Sequence, residues 1–283
     1  MQKITINDKN FPKLLKKIPN PPKQIYVAGD LKEQKYPLAV VGTRKMSDYG
    51  KQTTAHFTKE LVQAGITIIS GLALGIDGLA HKVALENNGQ TIAILGSGLN
   101  NIYPKIHQNL AKKIIESAGA IISEYPPETP SYQSNFIERN RLISGLSLGV
   151  LVIEAPEKSG ALITAREAIK QKRKVFVIPG RVYDRNSQGA NELIKNGAQL
   201  VSDPSDILKA LKIKPVFVKN KNQENLSILE KNLLEILFAR ENHIDELSQK
   251  SGAKINEVIS CLTNMEIKGL VKNLGNGKYI AIK

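Results

Sequence analysis

The chain has 283 residues, is 41% hydrophobic and 23% charged, and carries a formal net charge of +14. That composition excludes a disordered segment, and a lone cysteine, Cys261, excludes an internal disulfide and any cysteine-based metal spacing. No apolar run approaches the roughly 18 residues of a membrane-crossing helix, and the opening MQKITINDKN lacks a signal-peptide core, so a cytoplasmic protein without membrane insertion is expected.

The basic excess is uneven: residues 1–220 hold 31 Lys+Arg against 18 Asp+Glu, and residues 221–283 hold nine against eight. A lysine-rich composition alone raises such a total; its concentration in one part of the chain is more informative. Arginine is scarce, eight residues against 32 lysines, and seven of the eight lie between Arg44 and Arg185. Guanidinium groups offer a planar fork to phosphate or carboxylate that ammonium does not.

In chain order, residues 1–35 read as a short lead-in, because Pro19, Pro21 and Pro22 forbid a long helix there. A short strand is expected at 25–28. Apolar strands follow at 38–41, 66–70, 91–95, 120–123, 150–154 and 174–178. Helices are expected between them at 48–64, 76–87, 105–118, 137–146, 162–171, 189–196 and 204–211. Nearly all-apolar strands alternating with helices predict an open, doubly wound, mostly parallel α/β sheet over 36–211. The segment 212–225, KIKPVFVKNKNQEN, reads as a linker. Beyond it, helices at 226–239, 243–250 and 254–268 and a hairpin turning at Gly275-Asn276-Gly277 predict a winged helix-turn-helix over 226–283.

Ligands of open parallel sheets bind beyond the carboxyl ends of the strands, so the loops there are the candidate site. Gly42, Thr43, Arg44 and Lys45 follow the strand at 38–41 and precede a helix whose free amides suit an anion. Ser70 and Gly71 open the next such loop, but the Gly71 to Gly75 spacing is neither a dinucleotide nor a P-loop signature, and no cofactor is implied. Asp77 suits a helix N-terminus or an arginine partner, and His81 reads as a packed or exposed histidine rather than a base. Gly96-Ser97-Gly98 forms a third close turn. Lys158, Ser159 and Gly160 cluster after the strand at 150–154, and Arg181 follows the last main strand. Arg139, Asn140 and Arg141 lie together on one helix behind Phe136. Jointly these loops predict a groove suited to several phosphates.

No catalytic constellation accompanies them. The four histidines, His56, His81, His107 and His243, are scattered, and no nucleophile–base or metal-ligand spacing occurs. Glu124 and Glu154 end strands and could serve as bases or pair with Arg139 or Arg141. A nucleotide hydrolase is one alternative, but the nearest segment, EAPEKSGALITARE at 154–167, lacks the PGGxGTxxE signature of phosphoribohydrolases. A regulator reading DNA through the winged helix is another. The helix at 254–268 is mostly uncharged, with a basic strip of Lys268, Lys272, Lys278 and Lys283 beside it, which favours protein contact.

With these residues in view, the chain resembles the DNA-processing protein A family, DprA or Smf, of bacteria. The matching motifs are VGTRK at 41–45, SGLALGIDGLAH at 70–81, ILGSGLNNIYP at 94–104, SEYPP at 123–127 and NFIERNRLISGLS at 135–147. EAPEKSGALITA at 154–165 and IPGRVYDRNSQGANELIKNGA at 178–198 complete the set. The resemblance implies an extended Rossmann-like domain that binds single-stranded DNA as a homodimer, without catalysis. It further implies protection of incoming DNA in natural transformation and recombination, loading of the RecA recombinase, and indirect dealings with single-strand-binding protein, which is displaced. By motif, Gly42, Thr43, Arg44 and Lys45 would meet the backbone and Phe136 would stack on a base. Arg139 and Arg141 would line the groove, and Lys158, Ser159 and Gly160 would close its far side. Some relatives carry a basic residue where this chain has Gln133, and many place a helical domain ahead of the sheet, for which residues 1–35 are too short.

Overall fold

The structure is a computed structural model of the chain, and residues 1–31, 34–213, 226–239 and 241–281 are described. Two compact units result, Met1–Phe217 and Val218–Lys283. From residue 214 on, the linker expected at 212–225 lies outside the described residues, as do Ile282 and Lys283, where the expected hairpin ends.

In the larger unit the apolar runs become parallel strands: β3 (Pro37–Val41), β4 (Thr67–Ser70), β5 (Thr91–Leu95), β6 (Ala120–Ser123), β7 (Gly149–Val152) and β8 (Lys174–Val177); a short exposed strand, β9 (Gln199–Leu200), which the apolar pattern did not predict, pairs with β8. Strands buried on both faces need no polar alternation, and all five residues of β3 are buried. Two further strands, β1 (Gln2–Thr5) and β2 (Gln24–Gly29), add antiparallel to β6 at one edge. Among the described residues the order is β1-β2-β6-β5-β4-β3-β7-β8-β9. The chain runs from β3 outward through β4, β5 and β6, then returns to β7 on the other side of β3. That reversal is the topological switch point, where a crevice opens between adjacent loops.

Helices cover both faces. Helices α2 (Asp48–Gln63), α3 (Ile76–Glu86) and α8 (Pro204–Ala210) cover one face, burying Phe57, Leu61, Ile76, Ala80 and Ile207. Helix α4 (Gln108–Glu116), reached through a 3-10 turn at Lys105–His107, seats Ala111 and Ile114 in a smaller cluster with Leu95. The opposite face takes α1 (Lys13–Lys16), α5 (Gln133–Gly145), α6 (Gly160–Lys170) and α7 (Arg185–Lys195), through Leu15, Leu142, Ile143, Ala161, Ala165 and Ala190. Each large aliphatic side chain so buried contributes about 1.5–3 kcal/mol.

The N-terminal segment and the starts of two helices differ from the sequence reading. Residues 1–35, expected as a short lead-in, pack into the larger unit: Leu15 and Ile18 join the main core, and Arg173 Nη2 donates to Leu14 O at 3.1 Å. The prolines stop α1 after one turn and pass the chain into β2. Helices α5 and α7 each begin four residues earlier than expected, after Tyr132 and Asp184, which are both extended. Phe136 therefore sits in the first turn of α5, and Arg185 and Asn186 reach the sheet edge.

The smaller unit contains α9 (Ile228–Ala239), β10 (Asn242–His243), α10 (Ile244–Ser251), α11 (Ile255–Ile267), β11 (Val271–Gly275) and β12 (Lys278–Ala281). Leu233, Leu247, Val258, Leu262 and Met265 form its core, and Cys261 packs there with Sγ 3.8 Å from Met265 Sδ. The hairpin turns at Gly275-Asn276-Gly277, all at positive φ, and its β12 pairs with both β11 and the short β10. This is a winged helix. Among the described residues no helix is long and apolar enough to cross a membrane.

Candidate nucleic-acid groove

At the switch point lies a groove of about 830 Å³. One wall is the β3–α2 loop, the other the β7–α6 loop, and the first turn of α5 forms its floor. Both walls are fixed by Glu154, which is 3% exposed. Its backbone oxygen accepts from Thr43 N at 2.8 Å, and its carboxylate accepts from Ser47 N at 3.0 Å, from Ser47 Oγ, and from Asn186 Nδ2 at 3.4 Å. Asn186 Nδ2 also donates to Lys45 O at 2.9 Å. Glu154 thus ties β3, α2 and α7 together rather than pairing with Arg139 or Arg141.

Held this way, the β3 loop buries Thr43, whose Oγ1 accepts from Lys45 N at 3.2 Å, and leaves Arg44 and Lys45 exposed. Across the groove Lys158 is exposed and Ser159 caps α6, accepting from Ala161 N at 3.2 Å. A side chain added at Gly160 would meet nothing within 4 Å, so the amide end of α6 faces open space, a favourable place for an anion. Phe136 is half-buried on the floor; the Arg44 guanidinium stands 6.0 Å over its ring, and the Tyr103 ring lies 5.5 Å away. Gly96 permits this: a Cβ there would come 2.7 Å from Phe136 Cδ1.

The structure therefore brings together Gly42, Thr43, Arg44, Lys45, Phe136, Asn140, Lys158, Ser159 and Gly160 at the groove. Asn140 is buried beneath it, its Nδ2 donating to Gly160 O at 3.4 Å. Five other residues expected there have different roles. Ser70 is fully buried, its hydroxyl donating to Val40 O at 2.6 Å. Gly71 is buried where a Cβ would sit 2.7 Å from both the Arg139 guanidinium and Asp77 Oδ2. Arg139 is only 4% exposed, and its Nη1 donates to Gly71 O at 2.8 Å and to Ile94 O. It touches the groove's floor but works as an internal tie between β4, β5 and α5. Arg141 pairs with Glu124 away from the groove, the partnership foreseen for that glutamate. Arg181 is exposed on the β8–α7 loop and does not line the groove.

Beneath the floor the electrostatics are those of a closed core. Burial lowers the Arg139 guanidinium to about 10, opposed by Asp77, so it stays charged at neutral pH. Burial raises the Asp77 carboxyl, opposed first by Arg139 and then by the Gly71 amide, which donates to it at 3.1 Å. Asp77 is therefore both an arginine partner and a first-turn residue of α3. His81 is fully buried and lies 2.6 Å from Thr91 Oγ1, whose own proton goes to Ile68 O at 2.8 Å. Burial, with His107 and Arg139 nearby, lowers its pKa to about 3. It is a packed neutral histidine.

The sequence reading missed Tyr103, Arg185 and Asn186, which all line the groove. The signal for the last two was Asp184, a residue type that starts helices, just ahead of them. Tyr103 stood in plain view behind the Gly96-Ser97-Gly98 turn.

The doubly wound sheet with its crevice at the switch point, followed by a winged helix, defines a Rossmann-like α/β protein with a small C-terminal module. The chain belongs to the DNA recombination-mediator protein A family, whose model matches residues 2–212; the DprA winged helix domain matches residues 219–277. It is 40% identical over 271 residues to Protein Smf of Escherichia coli K12, covering 93% of this chain and 72% of that one. Among solved structures it is similar to the DNA processing protein A of Streptococcus pneumoniae, at 38% identity and a TM-score of 0.69, covering 74% and 73% of the two chains. It is also similar to the DNA processing protein A of Helicobacter pylori, solved for its single-stranded DNA binding mode, at 34% identity and a TM-score of 0.67, covering 75% and 96%. The family resemblance carried by the sequence motifs is borne out.

Proposed function

We propose that this protein binds single-stranded DNA in the switch-point groove and acts as a non-catalytic recombination mediator. The observation that carries this is the half-buried Phe136 ring on a groove floor, with Arg44 above it and exposed Lys45, Lys158 and Arg185 around it. Cations along a groove follow a phosphate backbone, and an aromatic face accepts any base, which together favour an unpaired strand without sequence preference. Asp77, which lines the groove, and Glu154, which fixes its walls, are already engaged by Arg139 and by loop amides. That arrangement favours binding over hydrolysis.

In this reading residues 36–211, completed by β1, α1 and β2, carry the groove, and 226–283 form a module behind the linker 212–225. Gly42, Thr43, Arg44 and Lys45 meet the backbone, Phe136 a base, and Lys158, Ser159 and Gly160 the far phosphates. The protein works in the cytoplasm as a homodimer, protects incoming DNA during natural transformation, and loads RecA recombinase where single-strand-binding protein is displaced. The test is a mobility shift with single- and double-stranded oligonucleotides of equal length over a salt series. Preference for the single strand, falling steeply with salt, is expected; equal affinity for both forms contradicts the proposal.

A further inference from the structure

We infer that Tyr103 is a second base platform: with Phe136 it forms a two-ring step that receives two successive unpaired bases. The inference rests on the single-stranded DNA reading of the groove and adds a contact to it. Tyr103 follows the β5 turn and is 46% exposed although its ring lies 5.5 Å from that of Phe136. An aromatic ring kept half in solvent beside a cationic groove leaves apolar area uncovered, which a ligand with a flat face relieves. The ring lines the groove and also a small recess shared with Leu74, Pro104, Arg44 and Arg139. Leu74 is itself 44% exposed, which gives the recess an apolar rim.

The geometry decides how the rings are used. They touch already, at an interplanar angle of 47°, which leaves no gap for a base to slide between them. Each ring therefore offers its outer face, and two neighbouring bases resting on them are tilted apart by the same angle instead of stacking on each other. A strand bent in this way cannot belong to a continuous duplex, so the step selects for unpaired nucleic acid. The Arg44 guanidinium stands 6.0 Å over the Phe136 ring, the outer limit of a cation–π contact. Arriving phosphate draws the guanidinium away at little cost and clears the ring.

The chain contains no tryptophan, which makes Tyr103→Trp a single fluorescent reporter at this position. In the full-length protein, oligo-dT is expected to quench that tryptophan through stacking. Tyr103→Phe should keep the parental affinity, and Tyr103→Leu, which keeps the bulk, should weaken binding about tenfold. An unquenched reporter, together with Tyr103→Leu binding as tightly as the parent, overturns the second platform. Phe136→Leu in the same titration separates the two levels of failure. If it weakens binding while Tyr103→Leu does not, only the two-ring step is wrong; if both bind like the parent, the groove reading falls as well.

Discussion

The carboxyl edge of the large sheet and helix α11 of the winged unit each present residues to solvent where DNA-binding proteins place their contacts, yet their chemistry is opposite. The sheet edge exposes Arg44, Lys45, Lys158 and Arg185 around an aromatic floor. Helix α11 contains no lysine or arginine at all and exposes Ile255 and Ile259. Lys268, just past its end, is held by Glu230 at 2.7 Å. Helix α11, with no cation of its own, offers phosphates less than the sheet edge does; the unit's exposed lysines lie outside it, at Lys254, Lys272 and Lys278. The pair also shows why net charge is a poor guide: three of the sheet unit's arginines, Arg139, Arg141 and Arg173, face protein rather than solvent.

The largest effect that can break this comparison comes from the buried tie. Arg139→Ala leaves Asp77 without its counter-charge and should cost the sheet unit about 3–5 kcal/mol in urea unfolding, with the winged unit unaffected. Restoring most of that stability with Arg139→Leu combined with Asp77→Leu would confirm that Arg139 is a structural arginine. A stable Arg139→Ala protein that merely binds DNA more weakly would return it to the ligand.

Acid separates the units next. In the folded chain His81 titrates at about 3, below its ordinary 6.5. Below pH 6.5 the unfolded chain takes up a proton that the folded one refuses, so stability falls as pH drops toward 3. The slope is about 1.4 kcal/mol per pH unit, and above 6.5 His81 contributes no pH dependence. Hydrogen exchange followed between pH 6.5 and 5 should show the sheet unit loosening while the winged unit holds, and His81→Gln should abolish that slope.

Binding is the third measure. Arg44→Ala should lower affinity for a single-stranded oligonucleotide about tenfold and reduce the salt slope by about 0.7. Asn256→Ala or Ser260→Ala on α11 should change neither; a loss there comparable to Arg44→Ala would transfer the binding to the winged helix.

The smallest effect is the Lys268 to Glu230 pair. Burial raises the Glu230 carboxyl, but hydrogen bonds from Lys268 and Ser227 outweigh it and hold the group below 4.5. Its contribution is complete above pH 4.5 and disappears as pH falls through the lowered folded value. Because Lys268 is 42% exposed, Lys268→Ala should cost the winged unit only about 0.5–1 kcal/mol, measurable as a small fall in Tm.

Much of this was legible in the residues. Runs such as LAVV at 38–41 and TIAIL at 91–95 could only be buried parallel strands, and the loops after them had to share one edge. That put Gly42 to Lys45 and Lys158 to Gly160 on the same edge, and the family resemblance set them on facing sides. The direction of a side chain on its helix was harder to read. Arg139 and Arg141 follow Phe136 by three and five positions, and only the presence of Asp77 and Glu124 across the fold shows that both arginines face protein. The early starts of α5 and α7 were hidden because their first turns are polar and carry no apolar period. Residues 1–35 read as a lead-in because the partners that hold α1 lie far along the chain, Arg173 among them.

The groove opens between β3 and β7, the sixth and seventh of nine strands, with hydrogen-bonded neighbours on both sides. A ligand seated there bears on strands that are hydrogen-bonded along both edges, instead of on a strand that can peel away. Glu154, joined to the loops on either side, ties these two interior strands together. The walls of the groove are thus braced from inside the sheet and not from an edge.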